Sequence, residues 1–501
     1  MTRARAAALA GALLVAVAVP FFVATTFHGD DHLFRAFARH APHPFVAFAS
    51  DAHGGEYYRP LPMAAWWLLG GPGAGSTPCA ALAFLLHGAA AVLTALLLRA
   101  LGRPAAVAGG AGVLMLIAPQ NLDAASWFSA STDLFATVFV LAALIAAVRG
   151  RLLIAAVAAL AAYLSKESAY VLPLLTLLVL GGLPWRRRLG AIAPQLALLA
   201  AVLAARTVVL HGPGGSGDAR AGVGPKLLQI VGGLAHVFTG DGVVPEPLAF
   251  GLGTAIIALV AFAASRRRGP DSTAAGATRL LPLAVCAIAT LPLLAAASAV
   301  GARYFYLPAV GLAWAAAEAL ADAGIAARAT IAAGLLLVGG MQAAQRRADV
   351  ISYDRRVSAA RRVVAAGLAS GHRVFDIMSG VKDLDLAVKE DRALAAAAGE
   401  VLVLTDVPAS FVIIPPELAA AAAPLVAEPP LPPSGAYHFG GVRVVGLARR
   451  EDGPSLREVV ARFPDIRFVR LRPVPSGQII ARDVTDETRR VLDAEGEGEQ
   501  D

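Results

Sequence analysis

Apolar runs of membrane-spanning length recur through the first 344 residues of this 501-residue chain, and no other feature constrains its fold as tightly. A bilayer core takes about 20 consecutive apolar residues as helix, because lipid offers no partner to an unbonded peptide group. Eleven runs qualify as candidate spans: Ala6–Thr25, Pro78–Leu98, Ala105–Pro119, Thr132–Val148, Leu152–Leu164, Ala169–Leu183, Leu189–Leu210, Leu248–Ala264, Leu280–Val300, Leu307–Leu320 and Ala329–Ala344. The expected fold class is an α-helical polytopic membrane protein of about 11 transmembrane helices. Only 16% of residues are charged, 57% are hydrophobic and the mean hydropathy is +0.64, too little polar surface for a soluble chain of this size.

Charge divides the chain near position 344. Residues 1–344 carry 22 Lys+Arg against 13 Asp+Glu, and residues 345–501 carry 21 against 23. The basic excess belongs to the membrane part and reports orientation, not nucleic-acid binding. Arg3 and Arg5 precede the first span; a secretory signal is the competing reading, but no small-x-small site follows, so an uncleaved anchor with a cytoplasmic N-terminus is expected. Arg99, Arg103, Arg149, Arg151, Arg186 to Arg188, Arg266 to Arg268, Arg279 and Arg328 then share the inner side with it. Ten of the 13 acidic residues fall on the other side, and an odd span count sends residues 345–501 there too. Few lysines and many Ala, Gly and Arg suggest a GC-rich bacterial genome, which makes the expected location the bacterial inner (plasma) membrane. Cys79 and Cys286 lie in separate apolar runs and are expected to be buried and free.

Three outer segments interrupt the apolar pattern: a first loop over 26–77, a loop over 211–247 and the tail. The second holds "KLLQIVGGLAHVF", read as an interfacial or re-entrant helix. The tail reads as an extracytoplasmic α/β domain over 345–501. An amphipathic helix is expected over Asp349–Ala369, with strands at Arg373–Met378, Glu400–Thr405, Val442–Leu447 and Phe468–Arg472 and helices at Leu384–Ala398 and Ser455–Phe463. "EVLVLTDVPASFVII" suggests a buried strand pair, and "EGEGEQD" a frayed end.

Ionisable residues collect at the outer helix ends: Asp30, Asp31, Arg59, Asp123, Asp133, Lys166, Glu167 and Arg303. Polar groups at membrane depth are costly unless paired or used. Both signs are present, as an anionic lipid-linked substrate requires: cations hold a phosphate, and a carboxylate takes a proton from an acceptor hydroxyl. The middles of the spans are almost free of charge, unlike an ion-coupled transporter. Each residue also has a plainer reading. Asp30–Asp31 could cap a helix, Asp123 could cap one starting at Ala124, and Lys166–Glu167 could be a loop ion pair. Arg303 could anchor an aromatic belt, and His87 could be a hydrogen-bonded core histidine. Asp133 runs straight into an apolar helix and needs a partner or a role.

The ordered strings "HGDDHLFRAF", "YYRPL", "FLLHGAAAVL", "PQNLDAASW", "STDLF", "LSKES" and "ARYFYLPAVG" resemble the GT-C superfamily of lipid-sugar-dependent glycosyltransferases over roughly residues 1–320. The resemblance is to bacterial relatives of protein O-mannosyltransferases and of the tetratricopeptide-bearing transmembrane O-mannosyltransferases. It implies transfer of a sugar from a polyprenyl-phosphate donor to a protein, lipid or glycan acceptor outside the cytoplasm, in one inverting step. Asp30 or Asp31 would be the catalytic base. Arg59, His87, Asp123, Asp133, Lys166, Glu167, Arg303, Tyr304 and Tyr306 would bind substrate, with Lys166 and Arg303 on the departing phosphate. No cofactor is implied and no metal ligand set is read, with a divalent metal left as an open alternative. Asn121 stands where relatives often carry histidine, and Ser131 where they often carry arginine, which keeps an inactive family member open. A non-enzymatic transporter or scaffold is the reading from another class.

Overall fold

The computed structural model describes residues 27, 31–49, 57–70, 75–212, 223–240, 247–248, 250–255, 258, 280–294, 302–321, 323–372, 374–378, 402–405, 412–414, 437–439, 442–445, 460–461, 463–473 and 479–497. Asp30, the expected span Ala6–Thr25 and the expected helix Leu384–Ala398 lie outside them, as do about half of Leu248–Ala264 and most of Ser455–Phe463. In chain order the helices are α1 Asp31–His40, α2 Pro60–Leu69, α3 Thr77–Ala100, α4 Ala105–Ile117, α5 Pro119–Ser126, α6 Ser131–Val148, α7 Leu152–Tyr163, α8 Leu172–Val179, α9 Trp185–Val209, α10 Val223–Thr239, α11 Leu281–Leu294, α12 Tyr306–Leu320 and α13 Ile325–Ala369. Strands β1 Val374–Met378, β2 Leu402–Thr405, β3 Val412–Ile414, β4 Tyr437–Phe439, β5 Val442–Val445, β6 Arg467–Pro473 and β7 Ile479–Asp483 follow, and α14 Thr485–Glu497 is last. The chain forms two compact units, Met1–Thr25 with Tyr58–Pro62 and Thr77–Arg347, and Thr26–Tyr57 with Met63–Ser76 and Ala348–Asp501.

The first unit is helical. Among the described residues four helical segments are long and apolar enough to cross a bilayer: Thr77–Ala100, Phe128–Val148, Trp185–Val209 and Ile325–Gly367. Helices α4 and α5 make a fifth candidate span, bent by 53°. The bend follows from local chemistry. Pro119 excludes the α region for the residue before it, and Ala118 accordingly sits at φ −59 ψ 123, so one helix stops and a second starts with proline in its first turn. Shorter apolar helices complete the bundle. Helix α3 packs on α4 and α6, α6 on α7, and α12 on α4 and α11. Gly311 permits the last contact: a Cβ there would lie 2.6 Å from Cys286 N and Pro282 O. Trp314, Tyr163, Tyr306 and Phe128 fill the interior, while Leu85, Leu153, Val157 and Val208 stand exposed as lipid-facing residues do. Both cysteines are buried and free.

The second unit pairs β1 in parallel with β2 and β6, adds β7 antiparallel to β6, and builds a separate antiparallel sheet in the order β3-β5-β4. Its core joins Val357, Ala360 and Val364 of α13 to Phe375, Ile377, Val469 and Leu471. The strands expected near 373, 400, 442 and 468 are present. "EVLVLTDVPASFVII" is corrected: its two strands, β2 and β3, belong to different sheets and do not pair. The helix expected from Asp349 does not start there; α13 runs unbroken from Ile325, because "AAQRRAD" offers neither proline, glycine nor a cap to stop it. The terminal segment read as frayed is helical as far as Glu497. Near the other end of the sequence, Phe27 and Phe34 tilt against Trp66, and Trp67 Nε1 donates to Ala41 O at 2.8 Å.

Candidate functional site: a buried charge network at the helix ends

Up-and-down helices return the same kind of segment to the same end of a bundle. The start of α6, the turn after α7, the end of α9 and the segment before α12 therefore converge, and each brings a charge. Lys166 follows α7 with extended backbone, φ −165 ψ 151. Extended residues send neighbouring side chains to opposite sides, so Lys166 and Glu167 do not pair with each other.

Lys166 Nζ donates to Asp133 Oδ2 at 2.5 Å, with both side chains buried (6% and 3% exposed), and lies 4.4 Å from the Tyr304 ring centroid. Burial pulls the Lys166 ammonium below the ordinary lysine range, and the Asp133 carboxylate pushes back. Glu167 turns the other way. Its Oε2 accepts from Arg59 Nε and Nη2 at 3.0 and 2.8 Å, and its Oε1 accepts from Arg206 Nη1 at 2.8 Å. Arg59 is placed by Pro60, the first residue of α2, and by the hydrogen bond from Leu61 N to Leu164 O. Arg303 lies over the Trp127 ring at 4.1 Å from its centroid and 5.3 Å from that of Tyr304. Arg346 of α13 approaches Trp127 at 5.2 Å and Asp123 Oδ1 at 3.7 Å.

These contacts link five cations, Arg59, Lys166, Arg206, Arg303 and Arg346, to three carboxylates, Asp123, Asp133 and Glu167. Every carboxylate in the network faces at least one cation, and five basic side chains converge at one end of the helical unit. Such a cluster complements an anion.

Arg59, Asp123, Asp133, Lys166, Glu167, Arg303 and Tyr304, expected from sequence to share a site, are thus joined. His87 and Tyr306 have settled partners. His87 Nε2 donates to Leu116 O at 3.1 Å and its Nδ1 accepts from the Tyr306 hydroxyl at 2.7 Å, so the pair ties α3 to α4 and α12 as the core-histidine reading has it. Asp123 is not a cap for a helix at Ala124; it lies inside α5, which proline starts four residues earlier. Asp31 is the first residue of α1 and is fully buried. Arg206 and Arg346 escaped the sequence reading. Arg206 had a signal, a lone cation at the end of an apolar run. Arg346 had none, since its neighbours look like any amphipathic helix. Among the described residues no three His, Cys, Asp or Glu side chains are grouped to hold a metal.

Fold and site together define a helical, multi-pass membrane protein with a buried cationic network at one end of its bundle. No family profile and no curated protein matches the chain. Among solved structures it is similar to that of ArnT from Cupriavidus metallidurans in the apo state, at 15% identity and a TM-score of 0.49 over 90% of this chain and 100% of that one. A likeness at that level carries no argument here, and the functional reading rests on the residues.

Proposed function

We propose that this protein is a membrane glycosyltransferase that moves a sugar from a polyprenyl-phosphate carrier to an extracytoplasmic acceptor, as the GT-C-like motifs imply. The observation that carries the reading is the convergence of Arg59, Lys166, Arg206, Arg303 and Arg346 in one buried network. A phosphodiester donor brings one negative charge, and its departing lipid phosphate brings a second as the glycosidic bond breaks. Arg303, with Arg59 and Arg206 that both bond Glu167, would place positive charge where it develops. Lys166, half of a neutral pair with Asp133, adds a fixed dipole.

Burial pushes the Glu167 carboxyl up, but Arg59 and Arg206 outweigh it and hold it below the ordinary range, which makes it a poor proton acceptor. The GT-C-like motifs imply instead that Asp30 or Asp31 of the first loop serves the acceptor hydroxyl. Attack by that oxygen on the anomeric carbon forms the new glycosidic bond and expels the phosphate oxygen from the opposite face, which inverts the configuration. The acceptor's proton passes to the aspartate.

The test uses protein purified into lipid nanodiscs with a panel of polyprenyl-phosphate sugars. Asp30→Asn, Asp31→Asn and the double variant are compared with wild type. Loss of at least one aspartate should slow transfer by about 10²-fold or more with the helix content retained. Transfer that persists in all three variants eliminates the carboxylate-base mechanism. Arg303→Ala should raise the KM for donor; unchanged donor kinetics would remove its assignment.

A further inference from the structure

Beside the ion pairs, the break between α4 and α5 gathers uncharged amides. Gln120 is fully buried, and neither its Nε2 nor its Oε1 has a hydrogen-bond partner among the described residues. Asn121, equally buried, donates through Nδ2 to Met115 O at 3.0 Å, yet its Oδ1 has no donor among the described residues. Gln342 of α13 is 4% exposed, and its Oε1 likewise meets no donor among them. That oxygen is held against the same break. A Cβ at Gly240 would lie 2.7 Å from Gln342 Oε1 and 3.4 Å from Pro119 Cβ, and Gly240 keeps a φ of +73 that favours glycine. Its carbonyl accepts from His236 Nδ1 at 2.8 Å. One turn on from Gln342 stands Arg346, which reaches Asp123 and Trp127.

Proteins rarely leave buried amides unmet, and an ordered water, an ion or a bound ligand accounts for many that stand open. Three unmet acceptors and one unmet donor ask for a ligand rich in O–H groups. A phosphodiester has no proton to offer a carbonyl oxygen at neutral pH, whereas a sugar hydroxyl both donates and accepts. We propose that Gln120, Asn121 and Gln342 form a subsite for the hydroxyl groups of a neutral sugar ring, adjoining the cationic network. The proposal rests on the donor reading above only for how the sugar arrives.

The test measures binding to the full-length protein in detergent. The probes are farnesyl phosphate, farnesyl phosphomannose, farnesyl phosphoglucose and the free methyl glycosides of mannose and glucose. Wild type should bind one sugar-bearing lipid more tightly than the bare one. Gln120→Met and Gln342→Met, close in volume, should each erase about tenfold of that gain while leaving affinity for farnesyl phosphate unchanged. Their melting temperatures should equal or exceed that of wild type, because an unmet amide has been removed. Gln120→Asn, which keeps the amide and shortens its reach, should lose the same gain even if a methionine variant folds poorly. Variants that retain the full gain, as they would if the amides held only ordered water, overturn the proposal. So does a wild type that binds bare and sugar-bearing lipids equally, a result that leaves the phosphate reading standing. If neither lipid binds, the phosphate reading fails and the methyl glycosides decide the subsite: saturable binding that the glutamine variants lose upholds it, and its absence overturns it.

Discussion

The two ends of the helical unit use arginine in opposite ways. At the end that holds Arg99, Arg188 and Arg328, guanidinium groups turn to backbone carbonyls near helix termini. Arg99 Nη1 donates to Arg103 O and Arg188 Nε to Leu183 O, while Arg328 bonds Ala323 O and Ala321 O. Most of these groups are exposed, and the carbonyls they meet lie in the turns that follow the helices. A carboxylate joins them: Glu318 Oε1 accepts from Trp314 Nε1 at 2.7 Å and faces Arg103 at 3.4 Å. At the far end Arg59, Arg206 and Arg303 are largely buried, and carboxylates and aromatic faces replace the carbonyls. The first arrangement suits a membrane surface; the second has the concentrated field of a binding site. Side-chain type does not separate them. Burial and partner do.

That contrast can be broken by mutation, and the largest effect is expected at Asp133–Lys166. Asp133→Asn or Lys166→Met leaves its partner buried with no counter-charge and should cost about 3–5 kcal/mol in unfolding experiments. The double replacement Asp133→Leu with Lys166→Met should recover most of that loss; a double variant as unstable as the two losses added would show that the pair is not coupled.

Glu167→Gln comes next, because it leaves two guanidinium groups converging on a neutral amide. A loss of about 2–4 kcal/mol is expected, with Arg206→Lys milder than Arg206→Met, since lysine keeps the charge but not the planar fork. Equal effects of Lys and Met at 206 would argue that Arg206 matters through packing alone. At the opposite end Arg99→Ala or Arg328→Ala should change stability by no more than about 1 kcal/mol. Neutralising Arg186, Arg187 and Arg188 together should instead alter orientation, read by reporter fusions on either side of α9. Stability losses there as large as at Asp133 would erase the distinction between the ends.

The smallest effect is expected in the second unit. Partial burial raises the Asp483 carboxyl, but hydrogen bonds from Thr485 and the Arg467 guanidinium at 2.8 Å outweigh it and hold its pKa below the ordinary range. A carboxylate lowered on folding stabilises the fold above its unfolded pKa, and that support fades as pH falls through the folded value. With Asp483 half exposed, water screens much of the effect, so Asp483→Asn should flatten the acid limb of a melting-temperature profile only slightly.

Much of this protein was legible before any coordinates. The long apolar runs around 77–100, 131–148 and 185–209 are helices because burying or lipid-covering a peptide group demands internal hydrogen bonds, and composition alone conveys that. The strands near 374 and 467 were readable from short β-branched and aromatic runs. Asp133 announced itself, since a carboxylate entering an apolar helix requires a partner. What chemistry lay in the string "LSKES" was not readable. Its charges look like each other's partners, and only the extended backbone at Lys166 sends them to Asp133 on one side and to Arg59 and Arg206 on the other. The start of α5 was misplaced although Pro119 marked it, because proline inside an apolar run was taken as a span's end and not as the first turn of the next helix.

Sequence by itself determined which segments are helical and apolar, where their charged ends fall and that those ends are asymmetric in sign, because hydropathy and charge act on each residue where it stands. Tertiary structure decided the pairings: Arg206, Arg346, Gln120 and Gln342 come from segments far apart in the chain, and electrostatic and hydrogen-bond energies depend on distances of a few ångströms that only packed helices set.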